Sequence, residues 1–435
     1  MCRAPGRVCG VGPGMRLLPA LALLLLSGCM TAPQPPASPS DSAAPPPVST
    51  RDGAMEIFGA LDAKAGPQGN AFYSPFSLEQ AFGLVHAGAA GETQRQIEDF
   101  FGWQRGAAGD AALGAEGAAL RAQQTPADIR LANALWLNDA YAFAPAYLST
   151  TATNYAATAE ALDFQGDPQG SANRINAWAS ENTDGLIPQV VSKDEVADQT
   201  AAFLTNALYF EAEWEQALDD GMEETPFLFG DGREEDFRLM KKLGSFQRAE
   251  RGEWAAIRLP YRGKRFVMDV IMPSRRRVMD SAPDPDTLAR LSQALAESEL
   301  QFTNLLLPRF EIDFAGDLRQ PMIDLGLNLP FDPSNADLSP MVGGQGPQLY
   351  VGVVKQLTRL QVYAEGTKAA AVTVVQVRVV SGQIVRGRAQ PFIVDRPFVS
   401  VIRDLETDAV VFIGRIAEPK PFEPAVDDPD NLPGN

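Results

Sequence analysis

Cysteine is missing from the part of this 435-residue chain that has the composition to fold. The three cysteines are Cys2, Cys9 and Cys29, and none follows. A disulfide framework, a thiolate nucleophile and a cysteine metal site are thereby excluded downstream. Histidine is scarcer still: His86 is the single one. A Ser-His-Asp hydrolase needs an imidazole held between hydroxyl and carboxylate, and a zinc hydrolase usually needs several. His86 sits among small residues of a helical stretch and reads as a packing residue. Ser74 and Ser77 have no partner base and read as capping and polar packing. Basic charge is also short, with 37 Lys and Arg against 55 Asp and Glu, a net charge of -18. That balance argues against nucleic acid or an anionic membrane surface as partner. No nucleotide loop, metal spacing or internal repeat is present, so no cofactor or metal is implied. Long apolar runs are absent except for Leu17–Leu26, which is too short to span a bilayer comfortably.

That run has a function of its own. Met15-Arg16 precedes it and Ser27-Gly28-Cys29 follows it, the order of an export signal. Leu26-Ser27-Gly28-Cys29 also resembles the bacterial lipobox. The resemblance implies a signal over residues 1–29, cut before Cys29, with a lipid attached to Cys29. The chain is then expected at the bacterial cell envelope, facing the periplasm or the exterior. Residues 30–50 are rich in Pro, Ala and Ser, cannot bury enough apolar surface to fold and suit a semi-rigid tether. Residues 421–435 read as an acidic disordered tail. The folded domain is expected over 51–420.

Within it, helices come first. The reading is an amphipathic helix over Ser77–Val85, opened by a capping serine behind Pro75, then helices from Gly91, over 106–124 and over Ala172–Thr183. Strands follow: Leu131–Asn138, Ala202–Phe210, a hairpin of Ile257–Tyr261 and Phe266–Met272 around Arg262-Gly263-Lys264, Asn304–Phe310, Phe398–Ile402 and Val410–Ile413. This order favours α+β with a large sheet. Glu223-Glu224, Glu234-Glu235 and Arg275-Arg276-Arg277 read as solvated charges.

Residues 363–397 are the unusual stretch. Thr367, Ala369, Ala371, Thr373, Val375, Val377 and Val379 alternate with Lys368, Ala370, Val372, Val374, Gln376, Arg378 and Val380. One face is wholly small or β-branched, so the stretch is competent as a strand with one buried face. No proline interrupts it. At about 3.3 Å per residue it would span about 45 Å, longer than a usual strand. Gly366 offers a turn-out point, and Ser381-Gly382 to Arg388 is polar and glycine-bearing. Pattern alone allows a plain strand followed by a long loop, or one segment with two homes.

Several blocks taken together resemble the serpin family over residues 51–419. They are Asn70-Ala-Phe-Tyr-Ser-Pro-Phe-Ser77 with Gly88-Ala-Ala-Gly-Glu-Thr93; Ile175-Asn-Ala-Trp178 through Gly185; Thr205-Asn-Ala-Leu-Tyr-Phe210 with Trp214; Leu307-Pro-Arg-Phe310; Phe331-Asp-Pro-Ser334; Arg396-Pro-Phe398; and Phe412-Ile-Gly-Arg415. The resemblance implies an α+β fold of helices packed on three β-sheets with an exposed reactive-centre loop. It implies a suicide inhibitor of serine proteases, acting as a monomer and not as an enzyme. Glu365, Gly366, Thr367, Ala369, Ala370 and Ala371 correspond to the hinge. Ser74, Ser77, Asn206, Trp214 and Gln356 correspond to the region where the sheet opens. Counting along the family's ruler from Gly366 places the reactive bond at Val380-Ser381, which suits an elastase- or subtilisin-like protease. Arg378, Arg386 and Arg388 are alternatives. The chain departs from the family at Ala364, where an acid is usual, at Gln356, where a histidine is usual, and at Glu211-Ala212, where Lys-Gly is usual. Glutamine keeps donor and acceptor capacity. The other reading is a non-inhibitory serpin-fold binding or scaffold protein.

Overall fold

The computed structural model describes residues 52–122, 126–183, 185, 188–197, 202–344, 348–368 and 388–420. Cys29, the 30–50 segment, Ala369, Ala370, Ala371, Arg378, Val380, Ser381, Arg386 and the 421–435 tail lie outside the described residues.

The helices are α1 (Asp52–Ala65), α2 (Pro75–Ala87), α3 (Gly91–Phe101), α4 (Ala107–Arg121), α5 (Pro145–Tyr155), α6 (Pro168–Asn182), α7 (Lys193–Ala197), α8 (Pro285–Glu297) and α9 (Arg319–Asp324). The strands are β1 (Ala71–Tyr73), β2 (Asp128–Asn138), β3 (Thr158–Leu162), β4 (Ala202–Glu213), β5 (Asp219–Leu228), β6 (Glu234–Arg251), β7 (Trp254–Pro260), β8 (Phe266–Pro273), β9 (Leu300–Pro308), β10 (Phe310–Asp317), β11 (Val351–Val362), β12 (Gly366–Lys368), β13 (Gln390–Ile393), β14 (Phe398–Asp404) and β15 (Val410–Ile416).

One sheet runs β10-β11-β12-β4-β2-β3. The remaining strands form one hydrogen-bonded network that divides along β6. Glu234–Lys241 of β6 pairs with β5 and Leu239–Gln247 with β9, while Gln247–Arg251 pairs with β7. The first part, with β13 beyond β9, is a small sheet; the second, β6-β7-β8-β14-β15-β1, is another. The result is the expected α+β arrangement of helices on three sheets.

The structure corrects local readings. α2 begins at Pro75 and its cap is Ser74, whose Oγ accepts from the Ser77 backbone N–H. The helix is buried from Pro75 through His86, hence not amphipathic; an all-round buried helix belongs in a core. The Asn304–Phe310 run is two strands, β9 and β10, parted at Arg309. Glu234-Glu235, exposed as expected, also opens the 18-residue strand β6, whose first three side chains are exposed while their backbone pairs with β5. Arg276 pairs with Glu234 at 2.7 Å and Asp395 at 3.0 Å, and Arg277 pairs with Glu253. Arg275 and Arg276 are exposed and Arg277 half-buried, as solvated charges should be, and these ion pairs fix where the segment lies.

Candidate functional site: a seam in the large sheet

The site lies between β4 and β11. Over Val351–Thr358 these strands pair directly and in parallel with Ala202–Leu208. Farther along, β12 separates them. Thr367 and Lys368 face Val362 and Gln361 of β11, and Gly366 and Thr367 face Glu213 and Ala212 of β4, all antiparallel. The seam is therefore zipped at one end and wedged open at the other.

The wedge is fixed by close packing. A β-carbon on Gly366 would lie 2.1 Å from the Ala212 carbonyl oxygen, so only glycine lets the start of β12 approach β4 this closely. Thr367 is fully buried, and its Oγ1 shares a 2.7 Å hydrogen bond with the Tyr261 hydroxyl. Trp214 stacks on Tyr261 at 4.4 Å. Its indole N–H donates to the Tyr363 carbonyl at 3.0 Å, and its backbone N–H to the Glu365 carbonyl at 2.8 Å. Ala364 is buried, and its carbonyl accepts from the Leu218 N–H at 2.7 Å. Burial, then the carboxylates of Glu211, Glu365 and Glu213, push the Tyr363 phenol up from its ordinary value. Arg262 balances part of this acidity through a 2.6 Å pair with Glu213.

The zipped end carries a different device. Gln356 spends both ends of its amide on one residue: Nε2 donates to the Ser74 carbonyl and Oε1 accepts from the Ser74 N–H, each at 2.9 Å. Ser74 Oγ donates to the Val411 carbonyl at 2.6 Å. Ser77 Oγ donates to Asn206 Oδ1. Asn206 Nδ2 in turn donates to the Ser77 carbonyl at 3.0 Å and to Asn133 Oδ1 at 2.6 Å. Gln356 and Asn206 are register partners across the seam, and all five side chains are buried. The N-terminus of α2 thus holds β11 and β4 together from below, and β2 joins through Asn133. Asn133 was not singled out from sequence; its place opposite Asn206 in the β2–β4 register is what enrols it.

Of the residues singled out, Ser74, Ser77, Asn206 and Gln356 gather at the zipped end. Trp214, Glu365, Gly366 and Thr367 gather at the wedge. Arg388 is exposed just before β13. His86 lies apart, fully buried, with Nδ1 at 2.7 Å from Asp110 and Nε2 at 3.0 Å from Glu98.

A family model described as Serpin (serine protease inhibitor) matches residues 49–419. The chain belongs to the serpin family. Among curated serpins, it is 29% identical to the leukocyte elastase inhibitor of Bos taurus over 380 residues, covering 84% of this chain and 97% of the relative. It is 28% identical to an uncharacterized serpin-like protein of Thermococcus kodakarensis over 440 residues, covering 93% and 98%. In the fold, this serpin superposes on native protease nexin-1 crystallised with heparin with a TM-score of 0.75 at 23% identity, covering 84% of this chain and 97% of the other. It superposes on uncleaved ovalbumin with a TM-score of 0.74 at 21% identity, covering 86% and 99%.

Proposed function

We propose that this serpin inhibits serine proteases as a suicide substrate, with Val380-Ser381 as bait. The observation that carries the reading is the half-open seam: the first residues of the hinge already hydrogen-bond to both β4 and β11, while the rest of that junction is closed. Attack by the protease serine on the Val380 carbonyl would form an acyl ester and release the amine of Ser381. The freed segment would then continue β12 down the seam. Thr367 faces Tyr261 and so sets the phase, leaving Ala369, Ala371, Thr373, Val375, Val377 and Val379 on the same buried side. Insertion would exchange one parallel ladder for two antiparallel ones, and each valine removed from water would contribute about 1.5–3 kcal/mol. The acylated protease would be carried along and its catalytic geometry distorted.

The branched aliphatic Val380 and the likeness to leukocyte elastase inhibitors both favour an elastase- or subtilisin-like target. The signal, the lipobox-like Cys29 and the 30–50 tether support a lipid-anchored inhibitor at the cell envelope.

The test is to mix the purified protein separately with elastase, subtilisin and trypsin, run denaturing gels and map the cut by mass spectrometry. A denaturant-stable adduct with elastase or subtilisin, released after Val380, is expected. An adduct with trypsin alone would move the bait to an arginine. Clean cutting with no adduct would leave a binding or scaffold role on a serpin shell.

A further inference from the structure

A polar tie crosses the seam on the face opposite the serine network. α6 is fixed to the β2–β3–β4 side. Trp178 packs edge-on against Trp136 of β2 at 5.9 Å, and Arg174 pairs with Glu160 of β3 at 2.8 Å. α6 also holds the segment that follows it. Asn176 Oδ1 accepts from the backbone N–H groups of Val190 and Val191 at 2.7 and 3.0 Å, and its Nδ2 donates to the Val191 carbonyl at 2.9 Å. That segment enters α7 through a reciprocal cap. The Ser192 backbone N–H donates to Glu195 Oε2 at 2.9 Å and its hydroxyl at 3.0 Å, while the Glu195 N–H reaches back to Ser192 Oγ at 3.3 Å. Such a box locks the carboxylate's position. The other oxygen, Oε1, then meets Lys355 Nζ of β11 at 2.7 Å. Lys355 lies opposite Thr205 of β4, one residue from the Gln356–Asn206 pair.

We propose that the Glu195–Lys355 ion pair is a latch that sets how fast the seam opens for an incoming strand. The proposal rests on the inhibitor reading above. A strand entering between β4 and β11 widens their separation by one strand spacing, about 4.8 Å. With α6 kept on β2 and β3 by Trp178 and Arg174, and α7 following it, the 2.7 Å contact cannot survive that widening. The pair stabilises the closed seam and is lost on opening, and its removal lowers the barrier to entry. The Lys355 side chain is 17% exposed and that of Glu195 42%, so the effect is modest and screened by salt.

The experiment uses the full purified chain and a synthetic peptide with the sequence of residues 367–380. Uptake of the peptide is followed on native gels and by the rise in Tm. Lys355→Met and Glu195→Gln are expected to take up the peptide about two- to five-fold faster than the parent. The double variant should be no faster than either single one. Lys355→Arg retains a cation and should match the parent, and added salt should speed the parent more than Lys355→Met. Equal uptake rates in all variants, alongside a normal protease adduct, would overturn the latch and leave the inhibitor reading standing. No uptake and no gain in Tm by the parent would overturn both.

Discussion

The two ends of the β4–β11 seam are held by opposite kinds of chemistry. The wedge is held by shape: a glycine against a backbone carbonyl, an indole stacked on a phenol, and one buried threonine hydroxyl. The zipped end is held by a buried polar lock of Ser74, Ser77, Asn206 and Gln356, joined by Asn133 through its Oδ1. Shape admits a strand of matching small residues. Buried hydrogen bonds resist parting until both strands move together, because each broken bond leaves an unsatisfied group. The sheet thus holds β12 between its strands at one end and keeps β4 paired with β11 at the other.

The comparison breaks most severely at the wedge. Gly366→Val would drive its side chain into Ala212 and expel the hinge from the seam. Protease adducts on denaturing gels should fall by roughly tenfold or more while loop cutting continues. At the lock, Asn206→Ala strands Ser77 and Asn133. Urea unfolding should show a loss of about 2–3 kcal/mol, and inhibitory activity should decay faster on warming.

His86 sharpens the comparison from outside the seam, because it ties α2, the helix that carries the lock, to α3 and α4. Burial disfavours its charge, but the carboxylates of Asp110 and Glu98 outweigh that and hold its pKa above the ordinary value. Tyr155 also reaches Asp110 at 2.8 Å, and Arg105 reaches Glu98 at 2.8 Å. A raised folded pKa stabilises the native state fully below the unfolded value of about 6.5, and that stability is lost as pH climbs through the folded pKa. Urea midpoints should therefore fall as pH rises above neutrality, and His86→Gln should flatten this slope. The smallest effect is expected from Tyr261→Phe. It removes one hydroxyl from Thr367 and should cost about 0.5–1.5 kcal/mol in urea unfolding, with inhibition retained.

The strand competence of the stretch from Gly366 was legible because alternation and small side chains report on it directly, and the described part, Gly366–Lys368, is a strand. Ser74, Ser77 and Asn206 were legible only through the family resemblance, since isolated polar residues in apolar surroundings have no period to read. Gln356 shows why: its partner is Ser74, far away in sequence, and no local pattern links them. β6 stayed hidden because its sides face different neighbours along its length, so charge and apolar residues mix without clean alternation. β11 was not read as a strand either; its buried run of Gln356, Leu357 and Thr358 breaks the period-2 signal. Asn133 and the Glu195–Lys355 pair required register across the sheet, which a single chain does not display.

The most direct test of the central claim is the thermal unfolding of the purified protein before and after a single cut between residues 369 and 387. A strand that completes the half-open seam must raise Tm substantially, and the account predicts that rise. An unchanged or lowered Tm after complete cleavage would mean that the seam does not accept the cut segment, and would contradict it.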